Sequence, residues 1–208
     1  MKCILIFAGK LLSLIYPKNI NECWKRIKMW CFTGYESSYF KVLGKGSTLS
    51  IHSTYIGEKY ITIGRNSHIG DYGRLTAYNN YIHTNQKFTP EILIGNNCSI
   101  GAQSHITAIN KISIGNNVLI GPRVLITDNA HGESTLESLQ IAPFKRPLYS
   151  NGAVIIEDNV WIGEGAMIMP NVHIGKGAII ACNSVVTTNV PSYTIVAGSP
   201  AKIIKTFK

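Results

Sequence analysis

Apolar residues recur at every sixth position over a long stretch of this chain. The repeated positions are Ile156, Ile162, Ile168, Ile174, Ile180 and Val186. A six-residue step matches neither the helical period nor strict strand alternation, so it indicates a repeat architecture. Each step predicts a short strand and a tight turn. The aliphatic side chain enters the core, a glycine such as Gly163 permits the backbone angles of the turn, and a small fourth residue such as Ala166 lets the next coil stack closely.

The same register appears earlier in the chain and is interrupted twice. It starts near Val42, shifts by two residues through 108–111, and includes these further positions: Ile63, Ile69, Leu75, Ile94, Ile100, Ile106, Ile114, Ile120 and Ile126. The first interruption, residues 77–90, is either a loop or a poorly matching coil. The second, residues 127–153, contains no hexad and reads as structureless. A long excursion from a compact repeat fold is usually functional or disordered.

These patterns predict an all-β fold in two parts. Residues 1–41 form a short N-terminal helical or capping segment. Residues 42–208 form a solenoid of stacked six-residue repeats, with an excursion at about 127–153 and a C-terminal cap after Val190. Stacked coils leave unpaired backbone groups at both ends, so caps are expected there.

The N-terminal segment leaves two interpretations open. Its apolar run, residues 3–16, is broken by Lys10, and from it we expect neither a transmembrane helix nor a cleaved signal. A helix is predicted from Asn21, which would act as its cap. One face of that helix carries Cys23, Ile27 and Trp30, and another carries cations. Such a helix either caps the open end of the repeat stack or rests on an anionic membrane surface.

Charge and cysteine content narrow the classes of function. The formal net charge is +9, but no basic stripe interleaved with aromatic residues appears, so we expect no nucleic-acid partner. A phosphorylated cofactor would use the same positive charge. The five cysteines are scattered without a CxxC pair, which favours reduced thiols in a cytoplasmic protein over a disulfide framework or a zinc site.

Four features together resemble the hexapeptide-repeat acyltransferases. They are the hexads, the loop string Asp128-Asn129-Ala130-His131-Gly132, the string Asn159-Val160-Trp161-Ile162-Gly163, and the terminal string Ala197-Gly198-Ser199-Pro200-Ala201-Lys202. The resemblance covers about residues 42–205. It is closest to the bacterial O-antigen and capsular polysaccharide O-acetyltransferases. It implies a left-handed parallel β-helix, a homotrimer with active sites between subunits, and acetyl-CoA as co-substrate with no metal required.

The resemblance implies that His131 is the catalytic base. An imidazole that titrates near neutral pH can take the proton of a sugar hydroxyl as its oxygen attacks the thioester, so that direct transfer needs no acyl-enzyme. Many relatives have a second histidine two positions before the base, where this chain has Asn129. Asp128 and Asn129 are therefore expected to orient His131 or contact the acceptor, although Asp128 is equally suited to a turn. Asn110, in the register shift, is a further candidate for acceptor binding.

The resemblance also implies a coenzyme site along the last coils. Trp161 matches a tryptophan beside the cleft, and Glu164 and Cys182 match positions whose backbone contacts the pantetheine arm. Four further positions match residues near the adenosine end or the phosphates: Thr187, Thr188, Lys202 and Lys205. Cations suit phosphate contacts.

The expected function is transfer of acetyl from acetyl-CoA to a sugar hydroxyl in surface-polysaccharide biosynthesis. The acceptor would be a sugar or a nucleotide- or lipid-linked sugar, used in the cytoplasm or at the inner face of the membrane. Three alternatives stay open: a xenobiotic (antibiotic) O-acetyltransferase, a zinc enzyme of the carbonic-anhydrase type, and a non-catalytic trimeric scaffold. The zinc enzyme requires three histidine ligands, two of them a few residues apart, and no two histidines here are so close in sequence.

Overall fold

The N-terminal segment consists of two α-helices rather than the single helix predicted. The computed structural model describes residues 2–16 and 18–207. Helix α1 is Lys2–Ile15 and helix α2 is Lys18–Glu36. The prediction of Asn21 as a cap is wrong, because α2 begins three residues earlier and Asn21 lies inside its first turns. Across the described ranges, no helix is long and apolar enough to cross a membrane.

Short strands follow one another in coils from Val42 onward. The first two coils contain β1 (Val42–Leu43), β2 (Thr48–Leu49), β3 (Thr54–Ile56), β4 (Ile61–Ile63), β5 (His68–Ile69) and β6 (Arg74–Ala77). The interruption after them is a hairpin of β7 (Asn80–Tyr81) and β8 (Gln86–Lys87), so it is a loop and not a coil. Two more coils contain β9 (Glu91–Ile94), β10 (Ser99–Ile100), β11 (His105–Ala108), β12 (Lys111–Ile114), β13 (Leu119–Ile120) and β14 (Leu125–Thr127).

The second excursion is folded and is not the structureless segment that its lack of hexads suggested. It contains β15 (Ala130–His131), the short helix α3 (Leu136–Leu139), a 3₁₀ turn at Pro143–Lys145 and β16 (Leu148–Tyr149). Strands β15 and β16 pair antiparallel, which closes the excursion into a second hairpin. The remaining strands are β17 (Val154–Ile156), β18 (Trp161–Ile162), β19 (Met167–Ile168), β20 (His173–Ile174), β21 (Ile179–Ile180), β22 (Val185–Val186), β23 (Thr194–Gly198) and β24 (Ala201–Thr206).

The coils stack into a three-sided parallel β-helix. Sheet A is formed by β1, β4, β9, β12, β17 and β20. Sheet B is formed by β2, β5, β10, β13, β18, β21, β23 and β24, and sheet C by β3, β6, β11, β14, β19 and β22. Within these three sheets, all pairings of the described strands are parallel except that of β24, which folds back antiparallel on β23 and covers the end of sheet B.

The repeated aliphatic residues form vertical ladders in the core. In sheet B, Ile120, Ile162 and Ile180 are in register on neighbouring strands, and each is almost completely buried. The small fourth residues, such as Ala166 and Ala178, are also buried, as the hexads predicted. Burial of this kind stabilises a fold by roughly 25 cal/mol for each Å² of apolar surface removed from water.

The glycine directly after the aliphatic residue has a role that differs from the prediction, whereas Gly165 and Gly177, two positions further on, do adopt the left-handed conformation. The left-handed backbone conformation occurs at the third residue after the aliphatic position, which is asparagine at Asn159 and Asn183. Asparagine tolerates this conformation better than most residues. Gly163, immediately after the aliphatic residue, is needed for close stacking instead. A Cβ there would lie 2.6 Å from the backbone nitrogen of Cys182 on the next coil.

Helix α2 covers the open N-terminal end of the stack. The Oγ1 atom of Thr33 accepts a hydrogen bond from the backbone N–H of Leu49 at 2.9 Å, which satisfies an exposed edge of sheet B. Phe32 packs on the core and lies 6.3 Å from the ring of Tyr55. The face that packs is therefore not Cys23, Ile27 and Trp30, all of which are exposed to solvent.

Candidate active site

His131 lies on the hairpin that leaves the coil between sheet C and sheet A. It is the last residue of β15, it pairs with Leu148 on β16, and its side chain is exposed. The hexad pattern ends at Thr127, where the chain leaves sheet C, and resumes at Val154, where it enters sheet A. The excursion thus projects an imidazole away from the coil at one edge of the prism, where solvent and a second molecule can reach it.

Tyr81, from the other hairpin, contacts His131, and sequence reasoning did not identify it. Its hydroxyl oxygen lies 3.5 Å from Nδ1 of His131, at the upper limit for a hydrogen bond, and the two rings meet edge to face with centroids 5.7 Å apart. The same hydroxyl donates to the backbone carbonyl of Phe144. A hydroxyl has one hydrogen, and a carbonyl can only accept, so the Tyr81 oxygen is left as an acceptor toward His131.

This arrangement selects a tautomer of the imidazole. Since the Tyr81 oxygen can only accept from it, Nδ1 of His131 carries the hydrogen, and Nε2 keeps its lone pair. Apo enzymes often show such catalytic hydrogen bonds at long distance. His131 is therefore held with Nε2 as the basic nitrogen.

The two hairpins are joined by the side chain of Gln86. Its Oε1 accepts from the backbone N–H of Leu148 at 2.7 Å, and its Nε2 donates to the carbonyl of the same residue at 3.0 Å. The ring of His83 also packs edge to face on Phe144, with centroids 5.7 Å apart. The interruption at 77–90 thus supports the excursion that carries His131. No hexad pattern could have revealed this contact, because neither segment has the repeat.

Asp128 holds the register shift and is completely buried. One carboxylate oxygen accepts from the backbone N–H of Ile109 at 3.0 Å, and the other accepts from that of Asn110 at 2.8 Å. These contacts direct the carboxylate to the backbone of residues 109–110. They favour the structural alternative for Asp128, which fixes the point where the excursion leaves the coil.

Asn129 and Asn110 occupy different surroundings. The side-chain amide of Asn129 donates to Asp128 at 2.9 Å and lies 3.4 Å from the carbonyl of Thr107, so it is turned toward the coil. The amide of Asn110 is exposed and lies 3.4 Å from the hydroxyl of Ser150, where the excursion returns. Asn110 is thus at the foot of the excursion and accessible to a ligand.

Three of the predicted coenzyme residues lie together. Trp161 is half exposed on sheet B. Glu164 and Cys182 lie in successive turns between sheets B and C, stacked closely enough that glycine is required at position 163. The carboxylate of Glu164 pairs with Arg123 of the preceding coil. The Glu164 side chain is therefore engaged with the preceding coil.

The two C-terminal lysines lie on the same sheet as Trp161, whereas the two predicted threonines lie at another edge. We call the surface from Trp161, Glu164 and Cys182 to Lys202 and Lys205 the wall. Lys202 and Lys205 lie on β24, and the strand order of sheet B runs from β18 through β21 and β23 to β24, so Trp161 and these lysines share one sheet. The ammonium of Lys205 lies 4.5 Å above the ring of Phe207. Thr187 and Thr188 follow β22, at the turn between sheets C and A, which is the edge from which His131 projects.

His131 and the predicted coenzyme residues of the wall therefore lie on different parts of one chain. The excursion leaves at the edge between sheets C and A, whereas Trp161 and the two lysines lie on sheet B. The face of sheet C separates that edge from the turns that carry Glu164 and Cys182. A groove of about 440 Å³ lies beside the excursion and is lined by Ala130, Gly132, Tyr149 and Pro170, among others. Within the described ranges, no three His, Cys, Asp or Glu side chains gather as a metal site would require.

Two family models match the coils. Residues 153–188 match the bacterial transferase hexapeptide (six repeats), and residues 91–121 match the hexapeptide repeat of succinyl-transferase. The Escherichia coli K12 protein WbbJ, named as a lipopolysaccharide biosynthesis O-acetyl transferase, is 36% identical over 120 residues, which is 56% of this chain and 61% of WbbJ. Chloramphenicol acetyltransferase of Morganella morganii is 33% identical over 172 residues, covering 81% of this chain and 76% of that protein.

The chain belongs to the hexapeptide-repeat acetyltransferases. The family resemblance and the predicted fold class are thereby confirmed. AntD, an N-acyltransferase from Bacillus cereus, has the same fold, with a TM-score of 0.67 at 22% identity over 84% of this chain and 88% of AntD. The stacked coils of this hexapeptide-repeat acetyltransferase are thus a left-handed parallel β-helix, and the matched repeats include Trp161, Glu164 and Cys182.

Proposed function

We propose that this protein transfers an acetyl group from acetyl-CoA to a hydroxyl of a sugar in the biosynthesis of a bacterial surface polysaccharide. The observation that carries the proposal is the exposed imidazole of His131, whose Nδ1 faces an accepting hydroxyl so that Nε2 is free to act as a base. Membership of an acetyltransferase family and the similarity to WbbJ support the reaction and the substrate class.

In the proposed reaction, Nε2 of His131 takes the proton of the sugar hydroxyl as its oxygen attacks the thioester carbonyl. The carbon–sulfur bond then breaks, and the imidazolium returns the proton to the departing thiolate, so no acyl-enzyme forms and no charge is left on the protein. The tautomer set by Tyr81 is the one this step requires. Loss of such a base typically lowers a rate by about 10²–10⁴-fold.

The residues of the wall fit coenzyme A in order. Exposed Trp161 offers an apolar surface, the closely stacked turns at Glu164 and Cys182 are assigned to the pantetheine arm, and the lysines of β24 suit phosphates. We assign Lys202 and Lys205 to the phosphates. Thr187 and Thr188 lie at the edge between sheets C and A from which His131 projects. We assign them to a cleft formed with a neighbouring subunit.

The separation of His131 from the wall supports a homotrimer. In one chain the base and the wall are not in one cleft, whereas a neighbour related by a threefold axis can bring its wall against the excursion. Light scattering on the purified protein tests this arrangement, with three chains expected. A monomer with full activity would contradict it.

The acceptor is a sugar, free or linked to a nucleotide or lipid, that is modified in the cytoplasm or at the inner face of the membrane. We assign Asn110, beside the returning end of the excursion, and Asn129 to the surroundings of the acceptor sugar. Asp128 is assigned to positioning these two asparagines. The experiment is to incubate the purified protein with acetyl-CoA and a panel of sugars and nucleotide sugars and to measure released thiol. Turnover with a sugar hydroxyl is expected.

A specific observation favours a second candidate. Chloramphenicol acetyltransferase of Morganella morganii matches more of this chain than WbbJ does, 81% against 56%. The same panel therefore includes chloramphenicol. Efficient turnover of chloramphenicol without turnover of any sugar would assign the protein to antibiotic modification. Failure to bind coenzyme A at all in calorimetry would identify a non-catalytic scaffold.

A further inference from the structure

The N-terminal helices expose an unusual amount of apolar surface. On α1, side chains such as Leu5 (68%), Phe7 (63%) and Leu14 (79%) are exposed, and every described side chain of the helix faces solvent. Large exposed apolar patches on a folded chain mark an interaction surface. This surface lies outside the acetyl-transfer site, which the excursion and the last coils form.

Helix α2 has a broad exposed apolar face of its own. Residues 20, 24, 27 and 31 are spaced by three or four, so they lie along one side of the helix. Ile20, Trp24 and Ile27 are 40%, 52% and 37% exposed, and Trp30 beside them is 57% exposed. The opposite side, with Phe32 and Thr33, is the one that packs on the first coil. Capping the β-helix therefore leaves the apolar side of α2 facing outward.

Cations flank this apolar face. Arg26 and Lys28 lie on its two sides, whereas Lys25 lies on the same side of α2 as Phe32. All three line a cavity of about 590 Å³ between α2 and the first coils, together with His52, His68 and Asp71. Lys25 pairs with Glu22, whereas Arg26 and Lys28 make no ion pair within the described residues. Residues 1–36 contain six Lys and Arg against two Glu, a clear excess of positive charge beside the apolar face.

We propose that α1 and the outward side of α2 bind the surface of an anionic membrane. Trp and aliphatic side chains on one side of a helix with Lys and Arg beside them are the pattern of helices that lie in the lipid interface. Tryptophan favours the headgroup level, where its ring meets both lipid and water. The flanking cations meet the negative headgroups, each strengthening binding by about fivefold.

The positive charge of the N-terminal segment favours a membrane over a second copy of the chain as the partner of this surface. A second copy would carry the same excess of Lys and Arg to the contact, and like charges repel at close range. An anionic bilayer supplies the opposite charge over a surface large enough to cover both helices. The proposal goes beyond acetyl transfer, since it concerns where the protein works and not what it transfers.

The test is flotation of the full-length protein with lipid vesicles. One set is phosphatidylcholine alone and the other contains one quarter phosphatidylglycerol. One variant combines Trp24→Gln, Ile27→Gln and Trp30→Gln, and a second combines Arg26→Gln and Lys28→Gln. The matched control combines three exposed apolar residues of the excursion: Leu136→Gln, Leu139→Gln and Ile141→Gln.

We expect binding to the anionic vesicles that weakens at least about tenfold in the apolar variant and about 25-fold in the charge variant, with the control unchanged. Equal binding of all variants, or binding to neither vesicle, would overturn the proposal. Concentration-dependent self-association that the apolar variant abolishes, without vesicle binding, would show that the partner is a second copy. Turnover of a soluble acceptor, measured in parallel, separates failure of this proposal from failure of the proposed function.

Discussion

Replacing Tyr81 by phenylalanine removes a single oxygen atom beside the proposed base. The ring remains, so its edge-to-face contact with His131, at 5.7 Å between centroids, is kept. What disappears is the acceptor for Nδ1–H, 3.5 Å away, and the donor to the carbonyl of Phe144. The imidazole is then free to rotate and to exchange between its two tautomers.

The size of the effect follows from the length of the contact. A neutral hydrogen bond contributes about 0.5–1.5 kcal/mol net, and its length of 3.5 Å places this one at the weak end. Each 1.36 kcal/mol is a factor of ten in rate, so we expect kcat to fall between about twofold and about tenfold. The KM for acetyl-CoA should stay unchanged, because Tyr81 lies on the hairpin side of the site and not on the coenzyme wall.

The assay is steady-state release of coenzyme A thiol, with Tyr60→Phe in the first coils as the matched control. The decisive comparison is the double mutant. If Tyr81 acts through His131, Tyr81→Phe should have no further effect once His131 is alanine. An equal loss of kcat in both backgrounds would refute the tautomer reasoning, as would a change confined to KM.

Three further predictions concern stability and are measured by urea or thermal unfolding. Asp128→Asn should lower the free energy of unfolding by about 1–3 kcal/mol, because one of two buried backbone N–H groups loses its acceptor, while exposed Glu133→Gln should have little effect. Ile162→Ala should cost about 2–5 kcal/mol through the cavity left in the sheet B ladder, against less than about 1 kcal/mol for half-exposed Leu119→Ala. A hydrogen bond from the Lys176 backbone N–H, with one from His173, lowers the pKa of Glu157, so its stabilisation is full above about pH 4.5 and is lost as pH falls below it. The difference in Tm between wild type and Glu157→Gln should therefore be present at pH 7 and shrink progressively as pH falls below about 4.5; a difference that does not change with pH would contradict this assignment.

The hexads predicted the coils well because the period is a direct consequence of stacking. Each aliphatic residue must meet the one above it, so the position of Ile162 between Ile120 and Ile180 follows from counting. The turn chemistry was less accessible. The sequence places Gly163 next to the aliphatic residue, but only the next coil shows that close approach, and not backbone conformation, excludes a side chain there.

Candidate site residues could be selected from the sequence only where they lie next to the hexads. His131 could be selected because the hexads stop shortly before it. Tyr81 could not, since its contact with His131 joins two segments that are fifty residues apart and both lack the pattern. Likewise, the outward side of α2 could not be assigned from periodicity, because both sides of the helix carry apolar residues and only the packing of Phe32 shows which one is inside.

The central claim is that His131 is the base for acetyl transfer to a hydroxyl. The most direct measurement is kcat of His131→Asn, with acetyl-CoA and the acceptor identified in the panel, compared with His173→Asn on sheet A. We expect a loss of about 10²–10⁴-fold for His131→Asn with unchanged thermal stability, and no loss for His173→Asn. Turnover of His131→Asn within a fewfold of wild type would contradict the account.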